Sequence, residues 1–378
     1  MTTRRSFLKT SFSAGAALLL AAGGGGAAGS SSPSGGSAFD ADVQKAYDGY
    51  AKANMPNVSI DLLQAAKKEG TLSLYHGQTG SDDASLTLFK QNFPFINVEA
   101  VALSGGNMLE RFGGEYRSGK YLSDVVSITS KPAAEGFQKE GFIMNYTIGP
   151  ANEIAPSHQV PGYIYSQYSS LNAVAWNPDH IKDDDAKVFL KWEGLMDPKW
   201  AGKKFTINSD ISGGSLQALY VYQYKTFGTK LWEFMAKNIV LFPGSVPMSD
   251  AIVSGEADIA GGAGADAFGT AYNKGAPVHW VYPEPIVSVP VVQFITSHAP
   301  HPNVSKVYQE FFFSKPSLAN FVDQGAMVDR PGVPDNRKVK SEPWFVAPDP
   351  AKLWDYTSDD ITNTFPEAAK AWNSVFKK

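Results

Sequence analysis

Thr71-Leu72-Ser73-Leu74-Tyr75-His76-Gly77-Gln78-Thr79-Gly80 is the stretch whose reading decides the fold. Residues 71–75 alternate polar and apolar side chains, the period of a strand with one buried face. His76 to Gly80 then breaks the pattern, and Leu86, Leu88 and Phe89 restart it at helical spacing up to Pro94. Upstream, Leu62, Leu63, Ala65 and Ala66 predict a short helix over 61–70 that Gly70 stops. Downstream the same unit recurs. Residues 96–103 read as a strand, Ser104-Gly105-Gly106-Asn107 as a turn, and Met108, Leu109 and Phe112 as the apolar stripe of the next helix. Residues 124–128 form a third strand, which Thr129-Ser130-Lys131-Pro132 leads into a third helix. Strand, small-residue turn and helix in regular alternation predict a mainly parallel α/β sheet.

Past residue 162 the pattern changes. Tyr163, Tyr165, Tyr168 and the run 171–176 read as extended segments leaving that first lobe. Asp183-Asp184-Asp185 reads as a solvated loop. A second α/β unit starts near Trp192, with strands expected at 205–207, 239–242, 257–260 and 278–282. Ser212-Gly213-Gly214-Ser215 and Gly261-Gly262-Ala263-Gly264 read as turns that open its helices. The run 287–295 reads as a buried strand returning to the first lobe, followed by helices at 303–313 and 317–323. The tail from 339 to 378, with Trp344, Trp354 and Trp372, is expected to pack helically on a lobe.

The N-terminus carries an address. Thr3-Arg4-Arg5-Ser6-Phe7-Leu8-Lys9 is the pattern of a bacterial twin-arginine signal. The apolar run over 14–22 is shorter than the roughly 20 residues that cross a bilayer and reads as a signal-peptide core. Residues 23–37 are almost entirely Gly, Ala and Ser, too apolar-poor to offset ordering entropy, with cleavage expected after Ala28 or Ala38. The sequence has no cysteine, which removes disulfides, thiol nucleophiles, thiolate metal sites and a lipidated anchor. The roughly 340 residues beyond the leader suffice for two domains. A net charge of −4 speaks against a nucleic-acid partner.

Several motifs resemble one family, the extracellular solute-binding proteins of ABC transporters, in the branch with the ferric-iron-binding proteins. Leu72-Ser73-Leu74-Tyr75-His76-Gly77-Gln78 looks like that branch's first strand and loop, and Asp124-Val125-Val126 like its third strand. Leu195-Met196-Asp197-Pro198-Lys199-Trp200-Ala201-Gly202-Lys203 is similar to its entry into the second lobe. Ser254-Gly255-Glu256-Ala257-Asp258-Ile259, Ala299-Pro300-His301-Pro302-Asn303 and Phe311-Phe312-Phe313-Ser314-Lys315-Pro316 extend the likeness, which spans roughly 71–334. It implies a two-lobed periplasmic-binding-protein fold, type II-like, in which each lobe is a mainly parallel sheet flanked by helices and hinge crossings join the two. The expected division is 1–38 signal and linker, 39–168 first lobe, 169–286 second lobe, and 287–378 return and C-terminal helices. It also implies a monomer in the periplasm that binds a small molecule and hands it to an inner-membrane permease, with no enzymatic activity, no cofactor and no resident metal.

In open α/β sheets ligands bind beyond the carboxyl ends of the strands. There this chain repeats a Gly/Ser/Asn-rich turn before a helix, which presents unpaired backbone N–H groups at the positive end of a helix dipole. The expected ligand-binding residues are His76, Gln78, Thr79, Ser104, Gly105, Asn107, Ser130, Ser212, Gly213, Gly214, Ser215, Gly264, Asp266 and Arg330. They favour a small oxyanion such as a phosphonate, phosphate ester or carboxylate. Asp266 offers a partner for an ammonium on a zwitterion, or is simply a solvated helix residue. Arg330, in a loop, offers a bidentate oxyanion contact. Arg111 lies four residues before Glu115 and reads as a surface pair. The iron-binding branch carries adjacent tyrosines where this chain has Gly264-Ala265-Asp266-Ala267, so ferric iron is the weaker alternative, with Tyr163, Tyr165 and Tyr168 as the available phenolates. His298 and His301 fit a helix start at Pro302 better than a metal site.

An exported cofactor-dependent oxidoreductase is the rival of a different class. Gly262-Ala263-Gly264-Ala265-Asp266-Ala267 fits the Gly-x-Gly-x-x-Ala form of the dinucleotide fingerprint, with Glu284 downstream. Hydrolase motifs are missing: no Gly-x-Ser-x-Gly elbow and no His-Glu-x-x-His occur.

Overall fold

The computed structural model describes residues 39–77, 80–103, 105–211, 214–357 and 359–377. After a short helix α1 (Ala41–Ala46), helix α2 (Ile60–Glu69) begins where Ser59 Oγ accepts the Leu62 N–H at 3.1 Å. It ends at Gly70, whose φ of 69° is left-handed and so favours glycine. Strand β1 (Thr71–His76) follows at once and pairs in parallel with β2 (Asn97–Ala102), from Thr71 opposite Asn97 to His76 opposite Ala102. His76, expected as the break after the strand, is its last residue. Strand β3 (Val125–Ile128) flanks β1 on the other side. Helices α3 (Gly80–Asn92), α4 (Gly105–Arg117) and α5 (Lys131–Lys139) follow these three strands in turn.

The period-2 geometry of the strands separates two cores. Leu72, Leu74 and Val125 face a cluster with Leu63, Phe89, Phe93, Tyr308 and Phe311. Tyr75, Val126 and Ile128 face the opposite cluster, with Met108, Phe112, Tyr116 and Phe137. Each such aromatic contributes about 1.5–3 kcal/mol by leaving water.

A two-residue strand β4 (Gln159–Val160) turns into β5 (Ile164–Trp176), the long extended segment expected around 162–176. Strands β6 (Phe205–Asn208), β7 (Ile239–Phe242), β8 (Ile259–Gly264), β9 (His279–Val281), β10 (Ile286–Ile295) and β11 (Leu353–Asp355) complete the set. The strand path runs β2-β1-β3-β10-β5-β8-β6-β7. From Tyr165 to Leu171, β5 pairs antiparallel with β10, which also pairs with β3. From Asn172 onward β5 pairs with β8 and β9 instead. One strand therefore serves both sheets, with its changeover between Leu171 and Asn172.

The second half repeats the layering. Helices α6 (Gly214–Phe227), α7 (Lys230–Met235), α8 (Ser245–Ser254) and α9 (Ala265–Asn273) cover its sheet, where β6 is parallel to both β7 and β8. Val174, Trp176, Phe205 and Ile207 face Leu219, Tyr220 and Trp232, while Ala173, Ala175, Ala260 and Ala263 face Met248, Ile252 and Phe268. Helices α10 (Pro302–Phe312) and α11 (Lys315–Val322) return to the first core. The C-terminal helix α12 (Phe365–Phe376) packs on the second half, where Trp372 is fully buried beside Tyr220.

Three expectations change. Part of the C-terminal tail expected to be helical is extended: Leu353–Asp355, with Trp354, pairs in parallel with β10. Gly261 and Gly262 are not a turn: β8 runs through them to Gly264, and helix α9 starts at Ala265. A Cβ at Gly261 would lie 2.6 Å from Met235 Sδ, and one at Gly262 2.5 Å from Leu219 Cδ2. The glycines let α6 and α7 press onto the strand. Asp183-Asp184-Asp185 is a short helical turn rather than a loop, Asp183–Ala186, and Asp183 Oδ1 accepts the Trp176 Nε1–H at 3.2 Å and lies 2.8 Å from His279 Nδ1. Among the described residues no helix is long and apolar enough to cross a membrane.

Candidate functional site

The carboxyl ends of the two sheets face each other. Thr129, just past β3, meets Gly214, the first residue of α6: a Cβ on Gly214 would lie 3.3 Å from Thr129 Oγ1. Gly214 has φ 69°, so its conformation as well as this close approach favours glycine. Beside it, Asn172 at the β5 changeover donates from Nδ2 to the Ser215 carbonyl at 3.1 Å and to the Val287 carbonyl at 3.3 Å. Its Oδ1 is buried without a hydrogen-bond partner. On the other side of the junction, helix α3 from the first half packs against helix α9 from the second.

Local chemistry fixes the turns. Ser130 caps α5 by accepting the Ala133 N–H at 3.3 Å. Tyr220 OH accepts the Asn208 N–H at 3.0 Å and donates to the Asn208 carbonyl at 3.2 Å. Asn208 Oδ1 in turn accepts the Gly244 N–H at 2.7 Å, tying the ends of β6 and β7 together. Ser245 Oγ accepts the Gly264 N–H at 3.0 Å where α9 begins.

The α3–α9 junction is acidic. His76 is 5% exposed, and its Nδ1 has no hydrogen-bond partner, with Asp82 Oδ2 3.8 Å away. Asp82 is buried in the first turn of α3. Asp266, in the first turn of α9, folds back on Gly264, whose added Cβ would lie 2.6 Å from Asp266 Oδ1. The neighbouring backbone N–H groups of Asp266 and Ala267 favour its charged form. Desolvation, reinforced by the negative charge of Asp82, nevertheless pushes the Asp266 carboxyl up to about 6.

The structure thus gathers Ser130, Gly214 and Ser215 on one side of the junction and His76, Gly264 and Asp266 on the other. Gly105 begins α4, and Asn107 is exposed in its first turn. Gln78, Thr79, Ser104, Ser212 and Gly213 lie outside the described residues. Arg330 is placed elsewhere: it pairs with Glu153 at 2.9 Å and donates to the Phe313 carbonyl at 2.6 Å, joining the 151–153 turn to the end of α10. Sequence reading missed Asp82, Asn172 and Ser245. An acid in a first helical turn is commonplace, and neither of the other two stands in a glycine-rich turn.

Two of the three tyrosines offered to iron, and the dinucleotide-like glycines, are engaged in the fold. Tyr165 OH accepts the Gly162 N–H and donates to the Tyr146 carbonyl inside the first core, and Tyr168 stacks on Phe321 at 4.6 Å. Among the described residues no group of three or more His, Asp or Glu is disposed to hold a metal ion. The dinucleotide-like Gly262 and Gly264 lie in β8, so they form no phosphate-cradling loop, and Glu284 pairs with Lys191 and Lys352. Arg111 pairs with Glu115 at 2.9 Å, as its spacing implied. His301 sits on Asp124, immediately before the helix that Pro302 opens.

The sequence profile of bacterial extracellular solute-binding proteins matches residues 121–358. No curated protein matches the sequence. Among solved structures, iron-bound HitA from Pseudomonas aeruginosa superposes with a TM-score of 0.63 at 18% identity, covering 81% of this chain and 99% of that one. AfuA from Actinobacillus pleuropneumoniae, solved with exogenous fructose-6-phosphate, gives 0.63 at 17% identity, with 82% and 99% covered. The substrate-binding protein of an ABC transporter from Agrobacterium tumefaciens gives 0.65 at 14% identity, with 81% and 94% covered. At these identities the likeness establishes the fold, two α/β lobes joined by crossing strands.

Proposed function

The chain belongs to the bacterial extracellular solute-binding proteins, and on that premise we propose that it is the substrate-binding component of an ABC import system, capturing a small solute between its two lobes by hinge closure. The lobes divide near residues 168 and 286, with β5 and β10 as the flexing crossings. The solute carries an anionic group, such as a phosphonate, phosphate ester or carboxylate, which the helix starts at Gly105, Ser130 and Gly214-Ser215 receive together with residues 78, 79, 104, 212 and 213. The observation that carries this reading is the meeting of Thr129 and Gly214 from opposite lobes at the carboxyl ends of their sheets. Amides at helix N-termini stabilise negative charge, and closure removes the water that would screen them.

Closure is populated when ligand contacts in the closed form outweigh the cost of closing. The α9 start does not share the anion, because the Gly264 N–H is taken by Ser245 Oγ and the Asp266 carboxyl folds back over Gly264. The twin-arginine leader exports the protein, which works in the periplasm as a monomer and delivers its solute to an inner-membrane permease.

Thermal shift against carboxylates, phosphonates, phosphate esters, polyamines and ferric citrate tests this. A true ligand at 100 times its Kd stabilises the fold by about 2.7 kcal/mol. The double change Ser104→Asp with Ser215→Asp is expected to abolish the shift given by an anion. Unaltered affinity would remove the anion site.

A further inference from the structure

Helix α11 belongs to the first core, where Leu318 and Phe321 are buried, yet the turn at its end lies against the second half. That turn faces both ways. The Asp323, Gln324 and Gly325 N–H groups donate to the Ala319, Phe321 and Val322 carbonyls of α11 at 2.9, 3.2 and 2.9 Å. The acceptors of the same residues serve the other half. Asn273 Nδ2 donates to the Asp323 carbonyl at 3.0 Å, Thr270 Oγ1 to Gln324 Oε1 at 2.7 Å, and Tyr282 OH to the Gly325 carbonyl at 3.4 Å. Thr270 and Asn273 stand on α9, and Tyr282 just beyond β9. The backbones themselves touch. A Cβ on Gly269, in the middle of α9, would lie 2.5 Å from the Gln324 carbonyl oxygen, a main-chain atom that cannot swing aside like a side chain. Glycine is a poor helix former, and here its missing side chain is what admits the turn. Gly325 has φ 98°, so the turn's own conformation favours glycine as well.

We propose that the 323–325 turn is a clasp between the lobes: it holds them in the arrangement where Thr129 meets Gly214, and so sets solute affinity from outside the anion-binding turns. Gly269 is the seat of the clasp, a positioning residue that acts through Gln324 and not through the solute. Rotation of one half against the other pulls the three hydrogen bonds and the Gly269 contact apart together. Contacts made in only one of two conformations favour that one, and their loss shifts the population to the other. The clasp therefore acts on the ligand-free protein, which goes beyond the capture reading above. Apparent affinity falls in proportion to the closed fraction that remains when the clasp is weakened.

Pulsed electron resonance on the full chain, spin-labelled through Glu110→Cys and Val246→Cys at exposed positions of α4 and α8, tests the clasp without any solute. Gly269→Ala wedges the seam, whereas Thr270→Val with Asn273→Leu removes two of its hydrogen bonds and leaves Gly269 in place. Either change is expected to lengthen and broaden the ligand-free distance distribution. Saturating aminoethyl phosphate should restore the wild-type bound distance, at a Kd raised roughly three- to tenfold. Circular dichroism confirms folding, and the Thr270→Val, Asn273→Leu protein decides alone if Gly269→Ala does not fold. A ligand-free distribution that the folded variants leave unchanged overturns the clasp. If aminoethyl phosphate does not bind the wild type, the anion reading falls, and the ligand-free distances still decide for or against the clasp.

Discussion

Asp266 is where physical chemistry departs most from what a helix start ordinarily requires. Its carboxyl is raised to about 6 from an ordinary 3.8, first by desolvation and then by Asp82, and Tyr282 also senses its charge. A carboxyl with a raised folded-state value stabilises the fold below its unfolded value and loses that contribution as pH rises through the folded one. Between pH 4 and 6 the wild-type melting temperature should therefore fall relative to Asp266→Asn, by the equivalent of about 1–3 kcal/mol, then level off above pH 7. Parallel melts of the two proteins across that range check it; parallel curves would contradict it. Arg330 makes the opposite case. Its side chain is only 11% exposed and is held by Glu153 and the Phe313 carbonyl. Arg330→Ala should cost about 2–3 kcal/mol in denaturant unfolding and leave ligand affinity unchanged. A loop arginine with free charge was legible in the sequence; its partner, 177 residues away, was not.

At the scale of elements, the alternation of strand and helix was readable because it is local. Leu72 and Leu74 fall on one face of β1 and Tyr75 on the other, as a period of two demands. The glycine run before α9 was misread for an equally physical reason. Glycine satisfies a turn by its freedom and a crowded strand by its lack of a side chain, and only the neighbours tell the two apart. Those neighbours are Met235, Leu219 and Trp192. Gly262 has φ 125°, and its added Cβ would press on Leu219, so Gly262→Ala should destabilise by about 2–4 kcal/mol. Equilibrium urea unfolding measures this, and a loss below 1 kcal/mol would show that α6 can move aside. The helix-start turns were also legible as turns. Asp82 was not legible as a site residue, because nothing local distinguishes an acid whose charge reaches a second acid on another helix from one that merely stands in a first helical turn.

For the molecule as a whole, the decisive feature is that β5 pairs in one sheet up to Leu171 and in the other from Asn172. Extended runs around 162–176 and 287–295 announced the crossings; the exchange of partners within a single strand needed coordinates. Near the crossing a buried chain of hydrogen bonds runs from the Ser127 hydroxyl through Gln167 and Gln293 to Gln309, tying β3 and α10 to the first-half portions of β5 and β10. Rigid halves and a shared strand are what hinge closure requires. Because the chain has no cysteine, a Glu110→Cys, Val246→Cys double variant can be spin-labelled at those two exposed positions alone, one in each half. The interlabel distance distribution, measured by pulsed electron resonance with and without saturating aminoethyl phosphate, tests capture by closure most directly. A shorter and narrower distribution in the bound protein is the expected result, and an unchanged one with calorimetrically proven binding would contradict the account.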